Sequence, residues 1–78
     1  MKLENKKKIL KKIFSDILKK DVSQINDNSS MNNLKEWDSM AHVRIIIEVE
    51  KKFQIKINFQ DAEKMKTFIE FLDFLESK

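Results

Sequence analysis

Leu34-Lys35-Glu36-Trp37-Asp38-Ser39-Met40, continued by Ala41-His42-Val43-Arg44-Ile45-Ile46-Ile47-Glu48-Val49-Glu50-Lys51-Lys52-Phe53, is the stretch where a polar loop becomes an amphipathic helix. Met40, Val43, Ile46, Ile47 and Phe53 fall at helical spacing, Ile45 and Val49 widen the stripe, and Arg44, Glu48, Lys51 and Lys52 take other positions. Met40, Val43 and Ile46 are therefore expected in the core. Asp38 suits the position just outside the first turn, where a carboxylate accepts from an unpaired backbone N–H, and Ser39 then becomes the first helical residue. Its Oγ points outward from a helix N-terminus, where backbone N–H groups and the positive end of the dipole favour a phosphate esterified to that hydroxyl.

Upstream, the pairs Ile9/Leu10, Ile13/Phe14 and Ile17/Leu18 recur every four residues with lysines between them, which predicts a helix from about Leu3 to Lys20. The Asn/Asp/Ser-rich run from Asp21 to Trp37 is too long for a plain connection. Its apolar residues Val22, Ile25, Met31, Leu34 and Trp37 imply a loop pinned onto the core, with Trp37 as a partly buried anchor.

Downstream, Ile55 and Ile57 alternate with polar residues but have no evident pairing partner, so an extended connector is expected. Asn58, followed by Asp61, caps a short helix to about Lys64. Thr67-Phe68-Ile69-Glu70 has the form of a capping box and opens a last helix to about Glu76, with Phe68, Phe71, Leu72 and Leu75 on its buried face. The expected fold is an all-α bundle of three main helices and one short one, in a single domain over residues 1–78, with a long loop between the first two helices.

Composition removes several classes of function. There is no Cys and one His, so thiolate or imidazole metal clusters are excluded, and without Gly or Pro there is no glycine-rich phosphate cradle. A chain of 78 residues has room for a modest core but not for an enclosed active site. Lysines interrupt the N-terminal segment where a signal peptide would be apolar, and no apolar run approaches membrane-spanning length, so a cytoplasmic protein without stable membrane insertion is expected.

The order of a long helix, a long loop, Asp-Ser at the start of a second helix, a short third helix and a capped fourth resembles the acyl carrier protein family over almost the whole chain. The likeness is tightest over Leu34 to Met40 and over Glu48-Val49-Glu50-Lys51-Lys52-Phe53. It implies that Ser39 carries 4′-phosphopantetheine through a phosphodiester and that Asp38 is read by the phosphopantetheinyl transferase, which draws on coenzyme A. It also implies a carrier rather than an enzyme, whose arm holds acyl or aminoacyl groups as thioesters for acyl-loading and acyl-transfer enzymes. A monomer is expected.

Several residues depart from the family pattern. Ala41, His42 and Arg44 stand where carriers of fatty acid synthesis commonly present acids, and Met40 replaces the usual Leu, a nearly volume-conserving change. Trp37 before Asp-Ser, with Leu34 three residues earlier, looks more like stand-alone carriers of specialised pathways for surface polysaccharides, lipids or secondary metabolites. His42, three residues after Ser39, suggests a base beside a nucleophile, but it lacks an orienting acid and an oxyanion pocket, and a rim position near the arm is the better reading.

The charge distribution supports a second reading. Residues 1–20 carry +6 and residues 21–78 carry −3, so a basic first helix could bind nucleic acid or an anionic membrane surface. Against that, positive charge elsewhere is interleaved with acids and no Arg-rich recognition helix is apparent, so no nucleic-acid partner is expected.

Overall fold

A computed structural model describes residues 3–77, and all the regular structure in it is helical. The order is α1 (Leu3–Leu18), a 3₁₀ turn (Val22–Gln24), α2 (Ser39–Phe53), α3 (Phe59–Lys64) and α4 (Phe68–Glu76). The four helices expected from the sequence are present, α3 being the short one. Asn58 caps α3 by accepting the Asp61 N–H at 2.8 Å, and the segment before it, with Ile57 buried, is an extended connector.

Helix α1 stops two residues earlier than its pattern suggests. Lys19 adopts a left-handed backbone with φ 58°, and the Lys20 N–H reaches back to the Ser15 carbonyl at 3.2 Å. This closes the helix as a Schellman turn, a position usually filled by glycine. Gln54 ends α2 in the same way, with φ 54° and the Ile55 N–H on the Glu50 carbonyl. Lacking Gly, the chain places a lysine and a glutamine in a conformation that costs an L-residue about 1–2 kcal/mol.

The core is centred on Phe14, which meets Trp37, Phe68 and Phe71 edge-on with ring centroids 5.0, 5.2 and 5.4 Å apart. Edge-to-face pairs of this kind add about 0.5–1.5 kcal/mol each beyond the burial of their area. Leu10, Leu18, Ile25, Ile45 and Val49 complete the centre, and Phe68, Phe71, Leu72 and Leu75 form the buried face of α4, as the capping-box reading anticipated.

Which face of α2 is buried differs from the expectation. Ala41, Ile45 and Val49, spaced four apart, point inward, whereas Met40 is 71% and Val43 57% exposed; Ile46 is half-buried and Ile47 exposed. The stripe was wide enough to allow two orientations. The choice follows from the neighbours, because α1 already fills the centre with Phe14 and leaves room for a small Ala41 rather than a Met.

The long loop is pinned as expected, with Ile25 and Trp37 buried and Met31 and Leu34 half-buried; Val22 is exposed. Trp37 is 1% exposed, deeper than the partial burial expected of it. Backbone pairing, which the sequence did not reveal, adds a second attachment. The Phe68 N–H donates to the Ser29 carbonyl at 2.9 Å, Ile69 N–H to Asp27 O at 3.3 Å and Met31 N–H to Lys66 O at 3.3 Å, stitching the loop to the entry of α4. Asn and Ser side chains hold the turns between: Asn26 accepts from the Asn28 N–H, Ser29 from the Asn26 N–H and Asn33 from the Ser30 N–H, each at 2.9 Å.

Candidate functional site

Asp38, with an extended backbone, caps α2: its Oδ1 accepts the Ala41 N–H at 2.8 Å while its carbonyl accepts the His42 N–H at 2.9 Å. Ser39 is the first helical residue and is exposed. The Ser39 and Met40 N–H groups precede the first intrahelical bond and so have no acceptor within the helix. Among the described residues the Ser39 hydroxyl has no partner either, so an exposed nucleophilic oxygen sits beside uncommitted donors at the positive end of a 15-residue helix. That donor set fits a phosphodiester.

The chain entering this site is held from two sides. Glu36 pairs with Lys20 at 3.2 Å, and its carboxyl lies below the ordinary glutamate range because of a bond from its own backbone N–H first and the Lys20 ammonium second. Trp37 is fixed through its indole. Its Nε1–H donates to His42 Nδ1 at 3.1 Å, and His42 Nε2 lies 2.8 Å from the Ala62 carbonyl. Indole nitrogen only donates, so Nδ1 supplies the lone pair, and the imidazole proton lies on Nε2 and is donated to Ala62. The His42 ring stacks at 21° on Trp37 and meets Phe71 edge-on.

This overturns the rim position expected for His42. It is half-buried and ties the loop, α2 and α3 together, and both ring nitrogens are engaged. Ala41 is buried as well, so of the three departures from the family's acidic pattern only Arg44 stands on the surface. The tie was detectable in principle, since a buried indole N–H needs an acceptor and His42 is the imidazole five residues ahead.

The family model described as "Phosphopantetheine attachment site" matches residues 8–75. The chain belongs to the acyl carrier protein family. An acyl carrier protein from Buchnera aphidicola subsp. Schizaphis graminum is 36% identical over 76 residues, covering 97% of this chain and 96% of that protein. One from Chlamydia felis is 33% identical over 69 residues, 88% of each. The solution NMR structure of a holo acyl carrier protein from Geobacter metallireducens superposes with a TM-score of 0.81 at 25% identity, over 92% of this chain and 83% of that one.

Membership makes this protein a carrier rather than a catalyst, with 4′-phosphopantetheine as its prosthetic group and with acyl-handling enzymes and a phosphopantetheinyl transferase as its partners. When attached, the group supplies the thiol that this cysteine-free chain lacks. Of the two readings of the sequence, family membership supports the carrier over the basic binding module. Among the described residues no helix is long and apolar enough to cross a membrane.

Proposed function

We propose that Ser39 is the attachment point of 4′-phosphopantetheine and that Asp38, besides capping α2, is read by the transferase. One observation carries this reading. Of the six serines, Ser39 alone combines a free, exposed hydroxyl with the unclaimed first-turn N–H groups of a long helix. Ser15 and Ser77 donate to carbonyls, Ser29 and Ser30 are buried, and Ser23 lies in a three-residue turn whose cap is closed by Asp21 and Gln24. The test is the intact mass after incubation with a phosphopantetheinyl transferase and coenzyme A. The wild type gains one prosthetic group and Ser39→Ala none; an unmodified wild type beside a control carrier that loads would refute the assignment.

The proposal extends to a single carrier unit over residues 1–78, monomeric and cytoplasmic, without a nucleic-acid partner, that serves a specialised pathway rather than housekeeping fatty acid synthesis. What supports the pathway is the surface next to Ser39. Met40, Val43 and Ile47 are exposed on α2 together with Arg44, the first turn has no acidic residue, and Phe59 is 73% exposed at the start of α3. An enzyme that docks carriers through a basic patch would meet Arg44 as a like charge. Malonyl transfer from a housekeeping transferase should be poor and should improve with Arg44→Glu, more so at low salt. Efficient loading of the wild type would remove the pathway reading and leave the carrier intact.

A further inference from the structure

From Ser39 there are two ways to lie against the protein, and the structure closes one of them. Toward α3, the His42 bond to the Ala62 carbonyl bridges the helices at 2.8 Å, and the interior behind it is filled by Trp37, Phe14 and Phe71. Toward α1 the surface is open. A hollow of about 240 Å³ begins at Asp38 and Met40, and a second of about 270 Å³ continues between α1 and α2 to Ile13 and Ile47. The two share Ile17 and Arg44 as walls, so they run together along α2. From Ser39 to Ile47 the helix rises by about 12 Å.

The lining has two chemistries. Ile13 and Ile17 from α1 and Ile47 from α2 give the far hollow an apolar floor. Arg44, the one arginine of the chain, has neither an ion pair nor a hydrogen bond among the described residues, although Glu48 lines the same hollow and pairs instead with Lys51 at 4.0 Å. An exposed guanidinium without a partner offers several fixed N–H donors to acceptor oxygens.

Resting on the assignment of the attachment to Ser39, we propose that this hollow between α1 and α2 is the seat of the prosthetic arm and its thioester-bound acyl group. Arg44 donates to an acceptor oxygen of the arm, and Ile13, Ile17 and Ile47 cover the acyl carbons. The far hollow is smaller than the roughly 300–1,000 Å³ of a pocket for a drug-sized ligand, so the cargo it takes is a short acyl chain. The seat is shallow and solvent-facing, and a partner enzyme can withdraw the cargo without opening the bundle.

The experiment compares apo protein, holo protein and protein loaded from butyryl-coenzyme A by the transferase, each labelled at isoleucine methyls, with intact mass confirming the load. The expected result is that the Ile17 and Ile47 methyl resonances shift from apo to holo and further with butyryl, with nuclear Overhauser contacts from the butyryl methyl to both. Loss of one hydrogen bond in Arg44→Ala should lower occupancy about two- to tenfold and weaken those contacts, with the apo spectrum otherwise preserved. Arg44→Gln, which keeps a donor, should fall between. A wild type that gains no mass would overturn the Ser39 assignment and the seat with it. Full loading with silent Ile17 and Ile47 methyls, or with contacts confined to Val43, Phe59 and Ala62, would overturn the seat alone.

Discussion

At the entry of α4, Thr67 accepts the Glu70 N–H, Glu70 returns to the Lys66 N–H and the Thr67 hydroxyl, and the next two N–H groups, of Phe68 and Ile69, go to carbonyls of the loop. Glu70 thus engages the residue before the cap, one position earlier than the ideal box. At the entry of α2, Asp38 accepts one N–H and nothing else in the chain covers Ser39 or Met40. Phe68, the first residue of α4, is fully buried; Ser39, the first residue of α2, is exposed. The two starts use the same kind of cap, and the difference shows that an open helix end marks function only when the rest of the chain could have closed it and did not.

The contrast breaks most sharply by exchanging side chains for alanine at the two first positions. Phe68→Ala removes a ring from the centre of the core and should cost about 3–5 kcal/mol of unfolding free energy. Ser39→Ala should stay within about 0.5 kcal/mol of the wild type. Urea titrations of both decide it, and a Ser39→Ala protein as unstable as Phe68→Ala would mean that the serine is part of the scaffold.

A smaller effect probes what steadies the open start. Trp37→Phe keeps a ring in the core but removes the indole donor from His42 Nδ1, and a buried acceptor left without its partner costs about 1–3 kcal/mol. The same variant should move the Nδ1 resonance of His42 in a nitrogen-detected spectrum, and an unchanged resonance would show that the bond is not formed in solution.

The smallest effect concerns Glu36. Its folded pKa is below the unfolded value, so its contribution to stability is present at neutral pH and lost as pH falls through the folded value. The carboxyl is exposed, so the effect is slight. In a carbon-detected titration, Lys20→Ala should raise the Glu36 midpoint part of the way toward the ordinary value. An unmoved midpoint would leave the backbone N–H as the sole cause.

Local chemistry was legible in the sequence wherever it did not depend on distant residues. The caps at Asp38, Asn58 and Thr67 and the buried face of α4 could be read because each rests on residues within one or two turns. The orientation of α2 could not. Its stripe ran from Met40 around to Val49, and Phe14, more than twenty residues earlier, decided which third faced inward. His42 was misplaced for the same reason, since its acceptor, the carbonyl of Ala62, is a backbone atom that no side-chain pattern announces. The stitching of Ser29 and Asp27 to α4 was hidden in the same way.

That stitching also fixes when the protein becomes whole. Phe14 and Trp37 find their aromatic neighbours only in α4, the loop finds its backbone partners at Phe68 and Ile69, and Lys6 near the beginning donates to the Leu75 carbonyl near the end at 3.0 Å. While the ribosome still holds the last helix, the earlier segments have no core to close around, and the Trp37 anchor that orients Asp38 and Ser39 is incomplete. Maturation is thereby ordered in time: the serine is presented in its finished setting only after the chain is released, so a transferase that reads this setting distinguishes completed carriers from nascent or truncated ones.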